Sequence, residues 1–304
     1  MGSSGPTTPQ QIARAAFFPT PSMTPVHNRL HRRIYLGQDP HTITKLMAHF
    51  FGMLRLGTAE AWKGLAGEDK WVPTRSAYEL AYSWHGANGI PRGIRERFDS
   101  SGVPKLSGLK LEIGFVEKPT FLDTAIGPSM TDIMGYARNA AGEPVILAVE
   151  GKATESFGLP VRSWVRGDLQ QPGAGHEPRP SRVRRLEYLA KRLGIAVDVE
   201  SPLYYQLLHR TVSAVMEAAL HGAVCAVVLI HCFADTDDLN YQAYEAFLAA
   251  LGAGDVKKGQ VVGPLSVSGG SEIPLYALWF QDMPHSPGVA GPLSYDSCRS
   301  ARVE

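Results

Sequence analysis

Three observations predict an α/β fold with a mixed β-sheet flanked by helices. Residues 109–123 alternate, with Leu109, Leu111, Ile113 and Phe115 set against Lys110, Glu112 and Gly114. That period of two is a strand buried on one face. The runs 144–149 and 223–233 are almost continuously apolar, as strands covered on both faces are. Around these runs lie apolar stripes at helical spacing, so the helices are expected to form the covering layers.

In chain order, residues 1–26 are rich in Pro, Ser and Thr and are expected to form a loose N-terminal tail. Residues 27–74 are expected to form a helical extension. Ile43, Leu46, Met47, Phe50, Phe51 and Leu54 predict a helix over 41–56, started by the polar Asp39 to Thr42. The main domain is expected over 75–283. Its first helix runs from about Arg75 to Trp84, with Ala77, Leu80, Ala81 and Trp84 on one face, and a short helix follows Pro91. Strands at 131–138 and 144–153 flank a turn at Asn139 to Gly142 and predict a hairpin.

The Pro- and Gly-rich stretch 167–180 predicts a loop. A helix then carries Val183, Leu186, Ala190 and Leu193 and stops at Gly194. Another spans about 202–221, with Leu208, Val212, Val215 and Ala219 as its apolar set. Its polar set, Gln206, Arg210, Ser213 and Glu217, also falls at helical spacing. The strand 223–233, a helix near 240–251 and strands near 260–267 and 273–281 complete the domain. Residues 284–304, with Pro284, Pro287, Gly288, Gly291 and Pro292, predict a C-terminal tail.

Composition narrows the classes. The 304 residues are 44% hydrophobic, enough for a large core, and no apolar run approaches the roughly 20 residues of a membrane span. No secretory signal stands at the N-terminus, and Cys225, Cys232 and Cys298 form no disulfide framework, so a cytoplasmic protein with reduced thiols is expected. A net charge of +1 neither predicts nor excludes a nucleic-acid partner.

The chemistry concentrates on Asp132, Glu150 and Lys152. Asp132 and Glu150 lie 18 positions apart, and their midpoint, 141, falls inside the expected turn, so they can face each other across the hairpin. Glu150 and Lys152 are two apart on a strand and share a face. Charges at the end of a buried apolar strand are costly unless they are paired or hold a metal. An ordinary terminal salt bridge is the simpler alternative. Two carboxylates favour a hard divalent cation such as Mg²⁺ or Mn²⁺. A lysine beside them supplies positive charge where a phosphoryl transition state gains negative charge.

This arrangement resembles the PD-(D/E)xK nuclease superfamily, the restriction-endonuclease-like fold, over about 75–235. There an Asp opens the second core strand and a D/E-x-K closes the third. The resemblance implies a Mg²⁺- or Mn²⁺-dependent nuclease, acting on DNA in restriction, repair or anti-phage defence. Asp132 and Glu150 would be metal ligands, with the Gly151 carbonyl and Glu79 as further ones, and Lys152 would activate water. Some members place Gln and Tyr four apart on the helix beside the site. Here the pair is Gln206 and Arg210, which adds Gln206 to the catalytic set and leaves the tyrosine missing. Thr131, not Pro, precedes Asp132. Many members pair as dimers, so a homodimer is admitted as a partner state. The alternative is a catalytically silent module that keeps the fold and binds nucleic acid or a protein.

The densest basic segment, Arg179 to Arg192, is either a backbone-gripping surface or a solvated face. Arg182, Arg185 and Arg192 are the expected nucleic-acid contacts, with Arg210 beside them. The cluster His27 to Arg33 is expected to be a flexible surface segment. His231, Cys232 and Cys225 match no zinc-ligand spacing and are expected in a buried strand. Asp235, Asp237 and Asp238 are expected to cap the following helix. The pairs Trp84–His85 and Tyr204–Tyr205 are expected to be packing residues.

Overall fold

A computed structural model of the chain describes residues 49–52, 55–167, 177–233, 238–267 and 273–285. Eight strands form one sheet: β1 (His49–Phe51), β2 (Arg55–Leu56), β3 (Lys110–Thr120), β4 (Ser129–Arg138), β5 (Pro144–Lys152), β6 (Cys225–Phe233), β7 (Val261–Leu265) and β8 (Leu275–Asp282). Their spatial order is β2-β1-β3-β4-β5-β6-β8-β7. β3, β4 and β5 form an antiparallel meander, and β6 and β8 then add parallel to β5. The sheet is therefore mixed.

Two layers cover it. Helices α2 (Ser76–Gly86) and α3 (Arg92–Ser100) pack on one face through Leu80, Ala81, Trp84, Ile94 and Phe98. The other face carries α5 (Pro180–Leu193), α6 (Tyr205–Leu220) and α7 (Leu239–Ala250). Two short helices, α1 (Lys63–Ala66) and α4 (Val161–Trp164), lie in connections. Every residue of β6 is buried, and so is β5 after Pro144. Their near-continuous apolar runs follow from this double covering. Among the described residues, no helix is long and apolar enough to cross a membrane.

The helix expected over 41–56 is overturned where it can be followed. Residues 49–51 and 55–56 are strands, and 41–48, 53 and 54 lie outside the described residues. Strand pairing overrides helical spacing here. Phe50 pairs with Gly114 of β3, and its ring covers that glycine so closely that an added Cβ would lie 2.6 Å from Phe50 Cδ1. Trp62 packs on the same ring at 5.3 Å.

Pro180, expected in a loop, instead opens α5, where a missing N–H costs nothing. Gly194 ends α5 in the left-handed conformation at φ 70°. Residues 168–176 of the expected loop, the tail 1–26, the cluster His27 to Arg33, Asp235, Asp237, Cys298 and residues 286–304 lie outside the described residues. Asp238 stands at the N-cap of α7, but its carboxylate pairs with Lys258 and makes no capping hydrogen bond.

Candidate functional site

The site forms on the α6 side of the sheet, where β3, β4 and β5 run side by side. Ile133 pairs with Val149, so the register carried one residue further sets Asp132 opposite Glu150. Val116 pairs with Ile133 and Lys118 with Thr131, which sets Glu117 opposite Asp132. Three carboxylates thus form a row across three adjacent strands. Like charges directly opposite each other destabilise a sheet. Glu117 also holds φ at 49°, a left-handed value that costs a non-glycine residue about 1–3 kcal/mol.

α6 brings the countercharge. Its polar stripe, Gln206, Arg210, Ser213 and Glu217, faces the sheet, and Arg210, Ser213 and Glu217 are buried. Arg210 Nε donates to Glu150 Oε2 at 2.5 Å, Nη1 donates to Ser129 Oγ at 3.2 Å, and Nη2 reaches Asp132 Oδ1 at 3.5 Å. Glu150 Oε1 accepts from Lys152 Nζ and from Gln206 Nε2, each at 2.6 Å. Asp132 Oδ2 accepts the Gly151 N–H at 2.9 Å. Lys152 Nζ also lies 5.1 Å from the centre of the Phe157 ring. Glu150 is 2% exposed and Lys152 3%, while the Asp132 side chain keeps 20% of its surface open.

The close approach at Gly151 extends through the sheet. A Cβ there would lie 2.5 Å from Leu80 Cδ1 and 3.0 Å from Ser76 Cβ, so α2 can pack against β5 only because this position is glycine.

The charges do not balance. Burial, reinforced by Glu150 and Glu117, pushes the Asp132 carboxyl up to about 8 despite Arg210. Burial likewise raises Glu117, with Glu150 adding to the effect. Burial alone would raise Glu150, but Arg210 and then Lys152 hold it below the usual carboxylate range. His209, whose Nδ1 lies 2.7 Å from Ser129 Oγ, is kept neutral by burial and by Arg210.

This row floors a cleft of about 830 Å³. One wall comes from the residues around α1 and the start of α2, including Lys70 and Arg75. The opposite wall holds Trp164, Tyr205, Gln206, His209 and Arg210. Tyr205 stacks on Trp164 at 3.6 Å and 8°, so it both packs and lines the cleft.

Asp132, Glu150, Lys152, Gln206 and Arg210 are thus brought together, with the main chain of Gly151 against Asp132. Glu79 is not among them. It lies on the α2 face of the sheet, 0% exposed, and accepts from the N–H groups of Thr74 (2.9 Å) and His285 (2.6 Å) and lies 3.1 Å from His285 Nδ1.

The expected nucleic-acid contacts are also redistributed. Arg185 is 1% exposed. It forks onto Asp123 at 2.7 Å and donates to the carbonyls of Ile126 and Gly127, so it ties the β3–β4 connection to α5. Arg182 is half-buried over the Trp164 ring and bonded to the Trp164 carbonyl. Arg192 lies over Tyr188 and donates to its hydroxyl at 3.1 Å. Arg210 is spent on the carboxylates.

Glu117, Ser129 and His209 were not identified from sequence. For Glu117 a signal existed: it continues the face of Ile113 and Phe115 and ends it with an acid, as Glu150 ends the face of Ile146 and Ala148. Cys225 and Cys232 are buried in β6, seven positions apart and so on opposite faces. His231 accepts from Trp84 Nε1 at 3.1 Å and lies 3.2 Å from Asp282. Among the described residues, no group of three or more His, Cys, Asp or Glu side chains is disposed to hold a metal ion.

The chain belongs to the family described as a domain of unknown function, DUF6946, whose profile matches residues 55–284. No curated protein and no solved structure matches the chain.

Proposed function

We propose that the protein is a metal-dependent phosphodiesterase acting on nucleic acid, in the first place DNA, with a restriction-endonuclease-like core and a PD-(D/E)xK-type site. One observation carries this reading: Glu117, Asp132 and Glu150 line up across three strands, with Lys152 beside them, on the floor of an open cleft.

The donor chemistry fits a hard divalent cation. Two cationic side chains, Lys152 and Arg210, bond directly to the carboxylate row, Lys70 and Arg75 stand further off on the cleft wall, and Asp132 is left favouring a proton. That deficit of positive charge is what Mg²⁺ or Mn²⁺ would fill. Asp132 and Glu150 would hold the ion, with the Gly151 carbonyl as a main-chain donor, while Glu117, opposite Asp132 on β3, would add negative charge beside it. When bound, the ion would lower the pKa of water and neutralise the scissile phosphate.

The chain's own residues do the rest. Lys152, fixed by Glu150 and Phe157, offers its ammonium to the developing phosphorane charge. Gln206 orients Glu150 through its amide. Cleavage of supercoiled, linear and single-stranded substrates, with Mg²⁺, Mn²⁺ or EDTA, tests the reading. Asp132→Asn, Glu150→Gln and Lys152→Met are each expected to lose at least a hundredfold in metal-dependent rate, and full activity in any one of them overturns it.

One observation favours a second reading, a catalytically silent module that binds nucleic acid or protein. Arg210 already engages both Glu150 Oε2 and Asp132 Oδ1, as an internal substitute for a metal. Calorimetric Mn²⁺ titration separates the two. Binding that is lost in Glu150→Gln supports the enzyme, and absence of binding in the wild type supports the module.

A further inference from the structure

The cleft wall opposite α6 is held with unusual care. It is the stretch 67–75, between α1 and α2. Gly67 and Thr74 both take left-handed φ values, 93° and 73°. Two carboxylates fix its far end by accepting main-chain N–H groups: Glu79 from Thr74 at 2.9 Å, and Glu155 from Ser76 at 3.0 Å. Glu79 is wholly buried and ties the same point to His285 beyond β8. Burying a carboxylate is costly unless hydrogen bonds compensate it. Here they are spent on fixing a loop. Trp71 reinforces it by packing on Tyr78 and Tyr82 at 5.5 and 6.3 Å.

This loop presents two cations to the cleft. Four cationic side chains line it, Lys70, Arg75, Lys152 and Arg210, with the carboxylates Asp69 and Glu155 on the same wall as the first two. Lys152 and Arg210 are committed to Glu150. Lys70 and Arg75 are exposed and form no ion pair or side-chain hydrogen bond among the described residues. Lys70 lies near enough to Glu117 to favour its ionised form.

We propose that Lys70 and Arg75 form the surface that grips the phosphodiester backbone, across the cleft from α6, in place of the basic face of α5. The inference deepens the phosphodiesterase reading and rests on it. Among the described residues the two exposed cations have no ion-pair partner to give up when they exchange water and counterions for phosphate, whereas Arg185 is buried on Asp123. The anchors at Thr74, Ser76 and Trp71 place the main chain that carries both cations on the wall facing α6.

Anisotropy of a labelled duplex oligonucleotide in EDTA, titrated at several salt concentrations, tests this. Lys70→Gln and Arg75→Gln are each expected to flatten the slope of log K against log salt by about 0.9. The same relation makes each loss roughly eightfold in affinity at 0.1 M salt. Arg182→Gln and Arg192→Gln are expected to leave the slope unchanged. An unchanged slope in the Lys70→Gln, Arg75→Gln double variant overturns the proposal, and wild-type cleavage with Mn²⁺ would then show that the phosphodiesterase reading survives it. A wild-type chain that neither binds the duplex nor cleaves it overturns both.

Discussion

Glu150 and Glu217 are both buried between α6 and the sheet, yet they sit in opposite electrostatic situations. Glu217 is a single carboxylate amply served: Lys118 at 2.5 Å, Tyr136 at 2.7 Å, Thr120 at 3.2 Å and His221 at 3.4 Å. Burial alone would raise it, but Lys118 and Tyr136 hold it low. Glu150 has equally good partners, but one of them, Arg210, is shared with Asp132, and Glu117 stands next in the row. One cluster closes its own account of charge and needs nothing further. The other leaves a carboxyl favouring a proton at the floor of a cleft. Buried polar residues alone do not single out a candidate site; an uncompensated surplus at an open surface is the stronger pointer.

The largest expected effect comes from breaking the two clusters in turn. Glu150→Ala strips buried Lys152 of its carboxylate and leaves buried Arg210 only Ser129 and the longer contact with Asp132, and should cost about 3–5 kcal/mol in urea unfolding. Glu217→Ala should cost less, about 1–3 kcal/mol, because Lys118 keeps 21% of its side chain exposed and can turn to water. The reverse order would sink the comparison.

Gly151→Ala should cost about 1–3 kcal/mol by driving a methyl into Leu80, and Leu80→Ala in the same chain should recover part of it, read by the same unfolding curves.

The pH dependence separates the two clusters by sign. Asp132 is raised to about 8 when folded, so it binds its proton better in the folded than in the unfolded chain. Its stabilisation is complete below about pH 4, the unfolded carboxyl value, and is lost as pH rises towards 8. Glu217 is depressed, so its contribution holds above its unfolded value, about 4.3, and is lost on acidification. Asp132→Asn should therefore flatten the fall in urea midpoint between about pH 5 and 8. Glu217→Gln should flatten the acid limb instead. Under the phosphodiesterase reading, added Mn²⁺ should also remove the Asp132 limb in the wild type, because a bound cation replaces the proton.

Much of this was legible in the sequence for a physical reason. Hairpin geometry is local, so the Asn139 to Gly142 turn fixed the facing of Asp132 and Glu150 without knowledge of the rest. The polar spacing of Gln206, Arg210, Ser213 and Glu217 marked one face of α6, and that face meets the sheet. What was not legible depends on distant pairing. Phe50 and Phe51 fit a helical stripe, but strand pairing with β3 claimed them. Arg185 read as surface because nothing local shows that Asp123, 62 positions earlier, would come to meet it. Glu79 had the right type on the right helix, but it faces His285, 206 positions later.

α6 carries one further consequence, mechanical in kind. Gln206 and Glu217 lie eleven residues apart on one helix, about 16 Å along its axis. Lys118, Thr120 and Tyr136 clamp the far end, so the Glu217 cluster acts as a fulcrum that sets the rotation and depth at which Gln206 and Arg210 are delivered. A small slip there would be transmitted as a tilt at the opposite end. Substitutions around Glu217 should therefore reach the cleft through the helix, although none of these residues lines it.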